Sequence, residues 1–108
     1  MIKLKDLLIE ASNTKKGFEV IRTLTHGHPL KFGRMTKAKW VQHHATGIIF
    51  GGGKYKGGNT GAQIFTQGGD KYRVEILKAI SPNPRISKKI KNVEGDMLYS
   101  TLKQHLGI

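Results

Sequence analysis

The sequence predicts a single α+β domain: a small, mostly antiparallel sheet with an N-terminal helix, one central helix and C-terminal helices. Three observations predict it. The 108 residues suit one domain with one modest core. A hairpin signal, Gly68-Gly69-Asp70, separates two strand-like runs, Ala62–Gln67 and Lys71–Leu77. Both ends of the chain, by contrast, carry leucines at helical spacing.

In chain order, residues 3–11 read as a short helix, with Leu4, Leu7, Leu8 and Ala11 on one face and Ser12-Asn13 ending it. Phe18–Thr25 is rich in β-branched and aromatic residues and reads as a strand, broken by Gly27 and Pro29. Phe18, Ile21 and Leu24 would also suit a helix. Thr36 is a good N-cap, and Gly47 a good terminator, for a helix over Lys37–Thr46. Its inner face would hold Ala38, Val41 and Ala45, with Trp40 and His44 at the margin. Ile48–Phe50 reads as a short buried strand, and Gly51–Gly61 as a flexible glycine loop. After Ser81-Pro82-Asn83-Pro84, residues 85–93 can form a helix with Ile86, Ile90 and Val93 on one narrow face. Gly95 breaks the chain, Asp96 can cap, and Met97–Leu106 forms a last helix through Leu98, Leu102 and Leu106.

Charge bounds the function. The chain carries a formal net charge of +12, well beyond what solubility needs, and such a surplus opposes compaction by self-repulsion. A polyanionic partner explains it. From Val20 to Gly69 there is no Asp or Glu, yet this stretch holds Arg22, Lys31, Arg34, Lys37, Lys39, Lys54 and Lys56. Four of the five histidines and eleven of the fourteen glycines lie there as well. Cations, imidazoles and glycine-exposed amides without carboxylates favour anions, and nucleic acid is the expected large anion. With no cysteine, the chain has neither a disulfide framework nor a thiolate metal site, which fits a reducing cytoplasm. No apolar run approaches the ~18 residues that would span a membrane.

Two basic–aromatic–basic triplets stand out, Lys54-Tyr55-Lys56 and Lys71-Tyr72-Arg73. Bases stack on aromatic rings while flanking cations hold phosphates. Strand parity makes Tyr72 a core residue beside Val74 and Ile76, leaving Lys71 and Arg73 on the outer face. Tyr55, in a glycine loop, is the stacking candidate. The loop fails the Walker frame, because Ile48 occupies the first glycine position and Tyr55 the hydroxyl position. Gly58-Asn59-Thr60-Gly61 matches a GXXG clamp, a pattern that normally joins two helices.

His26, His28 and His43, backed by Arg34, Lys31 or Lys39, supply the groups for metal-free RNA cleavage. Two imidazoles can shuttle protons while a cation stabilises the phosphorane. Surface or packing roles would account for the same histidines. A metal site is not expected, since no acid lies near them in sequence, and no cofactor is implied. The C-terminal helices invite a helix-turn-helix reading, but Lys91 falls where a small residue should face the partner helix.

The opening residues, MIKLKDLLIEAS, resemble the starts of many small uncharacterised proteins of myovirus-type tailed phages. The likeness covers twelve of the 108 residues. It implies a viral origin and work in the cytoplasm of an infected bacterium, and it carries over no site residue.

The expected function is therefore nucleic-acid binding, to RNA or DNA, through phosphates and with little sequence discrimination. The contacts would be Lys39, Lys54, Tyr55, Lys56, Lys71, Arg73, Arg85, Lys88, Lys89 and Lys91. Tyr55 tilts the expectation towards RNA or single strands. The alternatives are a small histidine-dependent ribonuclease and a protein-interaction module, either a host-enzyme inhibitor or a virion component, whose basic face meets an acidic protein.

Overall fold

The computed structural model describes residues 15–108, so the helix expected at 3–11 lies outside the described residues. Helix α1 (Lys15–Leu24) leads through a 3-10 turn at Pro29–Lys31 into the short α2 (Phe32–Thr36). Five strands follow: β1 (Trp40–His44), β2 (Gly47–Gly51), β3 (Gly61–Thr66), β4 (Lys71–Ala79) and β5 (Arg85–Glu94). Another 3-10 turn, Gly95–Met97, enters α3 (Leu98–Leu106). The strands pair in sequence order as one antiparallel sheet, β1-β2-β3-β4-β5. The α+β architecture is thus the expected one, with α2 as the central helix.

Three elements differ from expectation, each for a physical reason. Phe18–Thr25 belongs to a helix rather than a strand: Gly17, Val20, Ile21 and Leu24 are its buried residues, at the i, i+3, i+4, i+7 spacing of one helical face. Lys37–Thr46 is not a helix. Thr36 closes α2 instead of opening the next helix, its hydroxyl donating to the Phe32 carbonyl at 2.7 Å and accepting from the Ala38 N–H at 3.2 Å. Lys37 then takes a left-handed conformation with φ of 58°, which stops helical propagation. The chain emerges extended, and the Ala45-Thr46 turn folds β1 back onto β2.

Residues 85–93 form the edge strand β5, which removes the helix-turn-helix reading. Here a bulge imitates helical spacing. Asn92 has φ of 58°, and the register slips between Tyr72↔Val93 and Val74↔Ile90. One extra residue on β5 therefore brings Ile90 and Val93, three apart, onto the same sheet face. A second shift turns Ile86 to the opposite face, beside Leu77.

The core lies between one face of the sheet and the helices. Val20, Ile21 and Leu24 of α1 and Leu98, Leu102 and Leu106 of α3 cover Val41, Ile48, Phe50, Ile64, Val74 and Ile76. Phe50 is fully buried and edge-packed against Phe32, with ring centroids 5.5 Å apart at 90°. Tyr72 is in the core, as strand parity requires. Its hydroxyl reaches Thr23 at 3.1 Å and donates to the Glu19 carboxylate at 3.3 Å. Both long helices cover this face. The opposite face is left open by every described helix.

Candidate nucleic-acid interface

The antiparallel meander sorts charge along the strand axis. At one end of the sheet the register places Trp40, Gly51, Gly61, Leu77 and Ile86 side by side. The cations adjoining that row are Lys37 and Lys39 before β1, Lys54 and Lys56 after β2, Lys78 in β4, and Arg85 and Lys88 in β5. The C-terminus of α3, with Lys103, reaches the same end, because Gly107 abuts the Lys56 side chain. Among the described residues no Asp or Glu side chain lies there. Asp70, Glu94 and Asp96 sit at the other end, where Lys71 pairs with Glu94 at 3.0 Å and the Gly95 N–H donates to the Asp70 carbonyl. Glu19 borders Tyr72, and Glu75 lies mid-sheet.

The glycine loop at the basic end is tied down rather than flexible. The Thr60 N–H donates to the Leu77 carbonyl at 2.8 Å, and Asn59 accepts from the Ser87 hydroxyl at 2.8 Å. Lys78 donates to the Gly57 carbonyl. The GXXG run therefore links a 3-10 turn to β3 and joins no pair of helices.

Tyr55 is a correction. Only 6% exposed, it packs edge-on to Phe50 and donates its hydroxyl to the Thr36 carbonyl at 2.8 Å, so it cannot stack on a base. Lys54 and Lys56, on either side, point to solvent. Burial pushes the Tyr55 phenol up from 10.0 to about 12. The unfolded phenol ionises first, so its stabilising contribution is complete below pH 10.0 and is lost as pH rises towards about 12. Tyr55→Phe is expected to shrink that alkaline loss and to cost about 1 kcal/mol at neutral pH, read by denaturant melts in neutral and alkaline buffer.

The expected basic contacts divide into two groups. Lys39, Lys54, Lys56, Arg85 and Lys88 gather at the basic end, and all are exposed. Lys71, Arg73, Lys89 and Lys91 lie farther along the sheet. Arg73 and Lys89 converge on Glu75, at 3.1 and 3.7 Å, and the Gln63 amide donates to the same carboxylate at 2.6 Å. Glu75 is 4% exposed, so its charge is spent within this cluster.

The imidazoles do not gather. His43 sits against Gly17 near the start of α1, with its ring 5.2 Å from that of Phe18. His26 and His28 are exposed beyond the far end of α1. Leu24 is seven residues from Gly17, about 10 Å of helix, and His26 lies farther still. Arg34 is exposed on α2. The proton shuttle that RNA cleavage needs is therefore not assembled from His43 and His26. Among the described residues no three His, Asp or Glu come together as metal ligands would, and no helix is long and apolar enough to cross a membrane.

A feature the triplets did not reveal lies on the open face. Trp40, Gln42 and His44 of β1 point there, with Ile49 of β2, Gln63 and Phe65 of β3, and Arg73 of β4. Gly47 stands between His44 and Phe65 in the register, and its missing side chain lets the two rings meet across β2 with centroids 4.8 Å apart. The Arg73 guanidinium lies 4.2 Å from the centre of the Phe65 ring. Burial lowers the His44 pKa from 6.5, partly offset by a backbone hydrogen bond with Ile48, so the ring is neutral in this row at pH 7. A Cβ at Gly47 would fall 1.8 Å from the Ile64 carbonyl oxygen. Gly47→Ala is thus expected to displace β2 from β3 and cost about 1–3 kcal/mol, measured by urea unfolding. The signal for this face was the alternation Trp40, Gln42, His44, legible only once β1 is read as a strand. No protein-family model, curated protein or solved structure matches the chain.

Proposed function

We propose that the protein binds nucleic acid through phosphates at the basic end of its sheet, with little sequence discrimination. The observation that carries this reading is the sorting of charge along the strands: seven Lys and Arg adjoin one end, and the described Asp and Glu side chains lie elsewhere. Lys37, Lys39, Lys54, Lys56, Arg85 and Lys88 come from three segments, and cations so spread can follow a phosphate backbone rather than one isolated phosphate. Lys71, Arg73 and Lys89, each already in an ion pair, contribute less.

The test is a titration of labelled single- and double-stranded RNA and DNA of equal length at several salt concentrations, with strand integrity checked on a gel. Saturable, strongly salt-dependent binding with intact strands is expected. Absence of salt-dependent binding to all four ligands would refute the reading. Cleaved RNA would favour the ribonuclease alternative, and a host protein that co-purifies after nuclease treatment the interaction-module alternative.

A further inference from the structure

We infer that the open face of the sheet is a platform for unpaired bases, so that the ligand held at the basic end is a single-stranded nucleic acid. The inference rests on the nucleic-acid reading above and names the ligand class within it. Trp40 carries the connection between the two regions. It follows Lys39 directly, begins β1 at the basic end and is half-buried, its indole lying over Gly51. Four residues along the same strand and on the same side, about 13 Å away, His44 opens the row that continues through Phe65 to Arg73. Single strands are recognised by this pairing of elements: a cationic track for phosphates beside aromatic and guanidinium planes on which splayed bases stack. A duplex keeps its bases paired and stacked internally, so such a face gives it nothing. Gln42 and Gln63, between the two stacking positions, add amides on the same face.

Charge selects this occupant over a second copy of the chain. Two molecules of net charge +12 repel, and the one carboxylate on the central row, Glu75, is already covered by Arg73, Lys89 and Gln63. The face has no acid left to offer a cationic partner.

Trp40 is the chain's sole tryptophan, so its emission reports on this face alone. The full chain is titrated with labelled oligothymidylate, a duplex of equal length and poly-glutamate, following anisotropy and tryptophan emission together. The single strand is expected to quench Trp40 in step with binding, while duplex and poly-glutamate bind without quenching. Trp40→Ala and Phe65→Ala, followed by anisotropy, are each expected to weaken single-strand binding about 5- to 150-fold and to leave duplex binding unchanged. Saturable single-strand binding with unaltered emission would overturn this inference alone. So would equal quenching by poly-glutamate, which would assign the face to an acidic polypeptide. Loss of all salt-dependent nucleic-acid binding would instead remove the underlying reading. The emission arm uses the unaltered chain, so it decides the matter even where a variant fails to fold.

Discussion

Raising salt from about 50 to 200 mM is expected to weaken nucleic-acid binding about a thousandfold, because each neutralised phosphate releases condensed counterions. The count behind this figure is structural. Lys37, Lys39, Lys54, Lys56, Arg85 and Lys88 are exposed at the end of the sheet where no described Asp or Glu side chain lies, and none forms an ion pair with a described residue. Six contacts on a duplex correspond to a log–log salt slope of about −5, and single strands give a shallower one. Replacing Lys54 and Lys56 together by Gln should reduce the slope by about two, since each phosphate-binding lysine contributes about one. Replacing Lys71, already held by Glu94 at the opposite end, should leave it almost unchanged. A slope near −1, or equal effects at the two ends, would contradict the placement of the interface. Anisotropy titrations at four salt concentrations are sufficient to measure it.

Phe50→Ala is expected to cost about 3–5 kcal/mol, a large part of the ~5–15 kcal/mol that typically holds a small domain together. Phe50 is fully buried at the junction of three elements, packed edge-on to Phe32 of α2 and to Tyr55 of the glycine loop. Neither neighbour can collapse into the space left behind. Phe32 is anchored in its helix, and Tyr55 is held by its hydrogen bond to the Thr36 carbonyl. The loss should therefore be near the upper end for a large-to-small change, lowering the melting temperature by at least about 12 °C. Leu30→Ala is the control: at 74% exposure it is expected to alter stability by less than about 0.5 kcal/mol. Thermal melts of the two variants beside the parent chain separate these outcomes.

Elements whose signals were local could be read directly from the residues. Gly68-Gly69-Asp70 marked the β3–β4 hairpin, the run Ile48–Phe50 marked β2, and Leu98, Leu102 and Leu106 marked α3. Tyr72 was assigned to the core by parity alone. Elements whose local signals were counterfeited by backbone irregularity were misread. The Asn92 bulge gave β5 an apparent helical period, and the left-handed Lys37 cancelled the cap that Thr36 seemed to offer. Tyr55 was misplaced because a glycine-rich neighbourhood suggested mobility, whereas its ring packs on Phe50 and its hydroxyl is held by the Thr36 carbonyl, far back in the chain. The basic cluster was partly legible. Lys39, Lys54, Lys56, Arg85 and Lys88 were named individually, but their meeting at one end of the sheet follows from the strand order. The aromatic row was hidden for the same reason, since His44, Phe65 and Arg73 become neighbours only through pairing across four strands.

The irregular outer strand has a bearing on how the molecule survives its own concentration. β5 is a border of the sheet, with backbone groups facing outward that a foreign strand could otherwise zip onto. Three register breaks and the side chains of Arg85, Lys88, Lys89 and Lys91 deny it the flat, neutral contour that fibril recruitment requires. The lysines proposed to meet a polyanion would thus also keep neighbouring copies from templating on one another, and neutralising them is expected to favour strand-to-strand association of the chain.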